Sequence, residues 1–65
     1  MNRSAVIIAT TPGREPLRRT LGEICTLLTN ARGSDSAAIS CMLLDAGKPV
    51  TLTVRGAAVT FTPEA

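Results

Sequence analysis

Ser-Ala-Ala-Ile-Ser-Cys-Met-Leu-Leu-Asp-Ala, residues 36–46, is the stretch on which the fold turns. As a strand it alternates, sending Ile39, Cys41 and Leu43 to one face and Ser40, Met42 and Leu44 to the other. As a helix it opens on capping residues, is rich in Ala, Leu and Met, and stops before Gly47. The residues downstream arbitrate. Arg55-Gly56 suits a two-residue hairpin loop, which opposes Val54 with Ala57, Leu52 with Val59 and Val50 with Phe61 on one side, while Thr51 and Thr60 pair on the other. Asp45-Ala46-Gly47-Lys48, followed by Pro49, then reads as a second loop that opposes Leu43 with Val50, Cys41 with Leu52 and Ile39 with Val54. Both turns send the same apolar set inward, and a slip of one residue would not. The parity therefore predicts strands over about 38–44, 49–54 and 57–62.

Upstream, residues 4–10 read SAVIIAT, a β-branched run closed by the breaker Thr11-Pro12-Gly13, and predict a buried strand. Leu17, Leu21, Ile24, Leu28 and Ala31 follow at spacings of three and four, one stripe of a helix. Pro16 suits a first helical turn and Arg32-Gly33 a basic last turn and stop, so the helix is placed at about 16–32. Gly22, unfavourable inside a helix, marks a close approach to the sheet or a tolerated weakness. The expected architecture is α+β: a single helix on one face of a four-stranded, mainly antiparallel sheet, in the order β-α-β-β-β. A right-handed crossover beside the second strand is the default place for the first strand, with pairing to the last strand as the alternative.

The chain has 65 residues, enough for one small domain spanning 1–65, and a core this small leaves stability marginal. Its 45% of hydrophobic residues includes Phe61 as the sole aromatic, so the core is aliphatic. A net charge of +2 is mild for a nucleic-acid module. The apolar run Ala5–Ala9 is too short for a signal peptide, and nothing approaches a membrane span, so the expected setting is cytoplasmic. Cys25 and Cys41, sixteen positions apart among apolar neighbours, read as two buried thiols, with a single disulfide as the alternative.

The inventory excludes most chemistry. His, Tyr and Trp are absent, which removes the commonest general base. The five acids are scattered without a spacing that forces a shared cleft, and two cysteines without histidine cannot close a zinc site within one chain. No cofactor or metal is expected. Residues 10–16 join a strand to a helix start, where amide groups favour anions and Arg14 could add a fork to a carboxylate or phosphate, but neither a P-loop nor a dinucleotide fingerprint is present. An ordinary turn accounts for the same residues.

What remains is surface. Arg14, Arg18 and Arg19 would cluster near the helix start, where cations oppose the helix dipole, and Arg55 would sit at a hairpin tip. Thr51, Thr53 and Thr60, with Met42 and Leu44, would form a semi-apolar sheet face left open by a single helix. These are the candidate partner-binding residues, although a solvated helix face and a half-exposed sheet need no partner. The expected function is a non-enzymatic protein-binding module, an inhibitor or adaptor that masks a surface on a larger protein or nucleoprotein. Its size and inventory resemble those of small accessory proteins carried by phages and mobile elements. Self-association as a homodimer and arginine-mediated contact with nucleic acid are secondary expectations, and no membrane contact is expected. If residues 36–46 are helical, the chain instead resembles a shortened winged-helix DNA-binding regulator, but one whose reading helix lacks Arg, Lys, Asn and Gln.

Overall fold

The computed structural model describes residues 1–64 and is α+β, with two helices rather than one. The elements are β1 (Val6–Thr10), β2 (Leu17–Thr20), α1 (Leu21–Arg32), α2 (Ser34–Asp45), β3 (Val50–Val54) and β4 (Ala57–Pro63). All neighbours in the sheet are antiparallel, in the order β2-β1-β4-β3. Two hairpins, β1–β2 and β3–β4, are thus joined by the helical pair and meet along β1 and β4. The first strand does pair with the last, and the parallel crossover is absent.

The C-terminal hairpin has the register that parity predicts: Val50 opposes Phe61, Leu52 opposes Val59 and Val54 opposes Ala57. Arg55 and Gly56 take φ of 52° and 82°, the two positive values that a two-residue turn of the favoured twist requires. Thr51 and Thr60 share a side-chain hydrogen bond of 3.0 Å on the opposite face.

The predicted helix over 16–32 is corrected at its start, because Leu17–Thr20 is a strand. Thr20-Leu21-Gly22-Glu23 forms a capping box: Glu23 N–H donates to Thr20 Oγ1 at 3.2 Å and Thr20 N–H to Glu23 Oε1 at 3.0 Å. This supplies a helix start beyond the arginine pair, whose charges the dipole would oppose, and frees residues 17–20 to satisfy β1. Gly22 accommodates the N-terminal segment, not the sheet. Its N–H donates to Arg3 O at 2.9 Å, and a Cβ there would come within 3.2 Å of Arg3 Nε.

The predicted strand over 38–44 is also corrected: Ser34–Asp45 is helical. Ala37, Ser40, Cys41 and Leu44 are buried at spacings of three, one and three, the helical stripe, whereas Ile39 and Leu43 lie outside it. The small side chains on that stripe let α2 pack closely on α1. The two helices are joined by Gly33 alone, whose φ of 92° turns the chain between them.

Ile7 and Phe61 from the central strands meet Leu21, Ile24 and Leu28 of α1 and Ala37 and Leu44 of α2 in one core. Among the described residues no buried side-chain nitrogen or oxygen lacks a hydrogen-bond partner. No helix is long and apolar enough to cross a membrane. Cys25 and Cys41 form a disulfide from α1 to α2 with a Cα–Cα distance of 6.0 Å, so the pair of buried thiols expected from the sequence is replaced by a staple. A loop of this length confers about 3 kcal/mol in the chain-entropy account.

Reduction should therefore lower the unfolding free energy by about 2–4 kcal/mol, a large share for so small a core. Denaturant melts with and without reductant read this, with Cys25→Ala/Cys41→Ala as control; coincident melts would show that the staple contributes nothing. The cap makes a second prediction. Hydrogen bonds from the Thr20 backbone and side chain, with Arg19 nearby, hold the Glu23 carboxyl below the ordinary glutamate value of 4.5. Its contribution is complete above that value and is lost as the pH falls through the lowered one. Wild type should exceed Glu23→Gln in stability at neutral pH, the difference shrinking in acid; a gap independent of pH would exclude the carboxylate as the acting form.

Candidate functional site

The register places the Thr11–Pro16 loop and the Arg55–Gly56 turn at the same end of the sheet. α1 starts directly after β2 and reaches across to β3, where Arg32 Nη1 donates to Thr53 O at 2.7 Å. It covers Ile7 and Phe61 but leaves the hairpin end of the same sheet face partly open. A groove of about 260 Å³ results. Ala9, Val59 and Phe61 form its floor, Ile24 and Leu27 its helical wall, and Leu17 and Val54 its ends. Arg14, Glu15 and Arg19 line its rim. Leu17 is 53% exposed and Leu27 41%. The volume is below the ~300–1,000 Å³ of typical small-molecule pockets. It has room for one or two amino-acid side chains.

The groove contains one carboxylate, from Glu15, two guanidinium groups and the Thr11 hydroxyl against apolar walls. They place guanidinium and carboxylate charge beside an apolar surface. Among the described residues no group of three potential metal ligands occurs.

The arginine cluster expected at a helix start is divided by the strand. Arg18 and Arg19 are successive residues of β2 and point to opposite faces. Arg19 joins Arg14 at the groove, whereas Arg18 lies on the open face and pairs with Glu64 at 2.8 Å. That pair is exposed and adds little to stability. Arg55 sits at the hairpin tip of the groove end. Thr51, Thr53 and Thr60 occupy the open sheet face, as the parity predicts. Met42 and Leu44 do not join them: on a helix they diverge, Met42 to solvent at 68% exposure and Leu44 into the core at 2%. Of the groove residues, the sequence puts Leu17 on the helix stripe and gives Leu27 no role. The available signal was Leu27, a large apolar residue off the Leu21–Ile24–Leu28 stripe.

Side chains occupy some of the main-chain groups along the sheet's edges. Leu21 N–H donates to Ala5 O at 2.8 Å, so by alternation Arg18 and Thr20 aim their amide groups away from β1. Glu23 takes the Thr20 N–H, and Arg18 O accepts from Arg19 Nη1 at 2.7 Å. At the other edge, Thr53 O is occupied by Arg32. Strand addition at these positions would have to displace the side chains that occupy them. No family model matches the chain, and neither a curated protein nor a solved structure matches it.

Proposed function

We propose that this domain is a non-enzymatic binding module whose groove receives an apolar anchor from a larger protein and masks the surface that bears it. The observation that carries this reading is the exposure of Leu17 and Leu27 around a preformed apolar floor, in a domain whose small core has few large side chains to spare. Arg14 and Arg19 on the rim outnumber Glu15, which favours an anchor flanked by acidic residues. Such an action is that of an inhibitor or adaptor. The helical state of residues 34–45 favours the DNA-binding alternative in element order only. α2 turns Asp35, Ile39, Met42 and Leu43 outward, and it has no Arg, Lys, Asn or Gln to read base edges. A cytoplasmic setting would hold Cys25 and Cys41 as thiols, whereas the staple favours an oxidising one.

The test is a chemical-shift titration with blocked Glu-Leu-Leu-Glu and Lys-Leu-Leu-Lys peptides and with a DNA duplex. The acidic peptide should perturb Ala9, Leu17, Leu27 and Val54. Leu27→Asp should weaken it by ~10-fold or more, and Arg14→Glu/Arg19→Glu should reverse the preference between peptides. Equal response to both peptides, no response at the groove, or salt-sensitive DNA binding lost in the double arginine variant would overturn the proposal.

A further inference from the structure

The two helices differ in what they show to solvent. α1 turns Leu21, Ile24 and Leu28 inward and Glu23, Thr26 and Asn30 outward, and its one exposed large apolar residue, Leu27, lines the groove. In α2 the inner stripe of Ala37, Ser40, Cys41 and Leu44 is matched on the outside by Ile39, Met42 and Leu43, which are 64%, 68% and 38% exposed. Three large apolar side chains gathered on the solvent side of one short helix form a patch of the kind that another molecule covers.

We infer that a second copy of this chain covers α2, through a two-fold, antiparallel pairing of the two α2 helices. Charge placement selects this occupant. The outer stripe carries no charge between Asp35, in the first turn, and the helix end. Beyond that end, Lys48 N–H donates to Leu43 O at 3.0 Å, folding Lys48 back against the helix C-terminus. An antiparallel pair centred between Ile39 and Leu43 sets Asp35 of each copy beside Lys48 of the other, and the symmetry makes that contact twice. Antiparallel helix dipoles add in the same sense. Asp45 is already engaged by the Asn2 N–H at 3.2 Å and leaves the seam to Lys48. This surface is separate from the groove, which stays open in the pair.

Sedimentation from micromolar to millimolar concentration tests the inference on the intact chain. Wild type should show a concentration-dependent monomer–dimer equilibrium, and Met42→Glu should weaken it by ~100-fold or more. Asp35→Lys and Lys48→Asp should each weaken it by ~10-fold, and the two together should restore it to within about threefold. Circular dichroism of each variant checks that the helices are kept, and restoration by the double variant would exclude general damage. Leu27→Asp, in the groove, should leave the dimer unchanged, so loss of peptide binding and loss of dimerisation are read apart. A chain monomeric at millimolar concentration, a dimer indifferent to Met42→Glu, or a charge exchange that fails to restore association would overturn the pairing.

Discussion

The structure depends on the pairing of β1 with β4. Each terminal hairpin alone would be marginal in water, and only their union makes a four-stranded sheet with an apolar face broad enough to seat two helices. The pairing sets Ala9 opposite Phe61 and brings Ile7 into the same layer, which gives Leu21, Ile24 and Leu28 a surface to cover. It also fixes the groove, because α1 has to start where β2 ends and reach β3, and a helix of twelve residues covers one band of the sheet. The apolar end that remains uncovered is a consequence of length and topology together.

Local stabilisers then carry what the small core does not. The capping box, the cystine and the Arg32 bond to Thr53 O each join elements that follow one another or lie on one side of the molecule. None of them crosses between β1 and β4. The long-range pairing therefore rests on main-chain hydrogen bonds and on Ile7 and Phe61, the two side chains from those strands that lose nearly all contact with water.

The parts of this fold that the sequence makes legible are those governed by local rules. The β3–β4 hairpin follows from Arg55-Gly56 and strict alternation, and β1 from a β-branched run between polar ends. The α+β class, with β1 able to join the last strand, followed from them. Residues 17–20 were misread because Leu17 falls by coincidence on the stripe of α1, although the Thr20–Glu23 box was present in the sequence as the competing signal. Residues 38–44 read as a strand because Cys41 belongs to the inner set under both periods, while Ile39 and Leu43 place apolar side chains on the solvent side. A helix with large apolar side chains both inside and out has a blurred periodicity. At the groove, the charges of Arg14 and Arg19 were visible, but the walls come from β1, β2, α1, β3 and β4 and arise only in three dimensions.

Where the chain enters and leaves the sheet has a mechanical consequence. Glu64 N–H donates to Val6 O at 2.9 Å, so the beginning of β1 and the end of β4 lie side by side. Force applied across Val6 and Glu64 would load this bond and then the ladder one pair after another, in the geometry of a zipper and not of a sheared joint. The pairing that holds the domain together against heat and denaturant is thus oriented to yield to a pull.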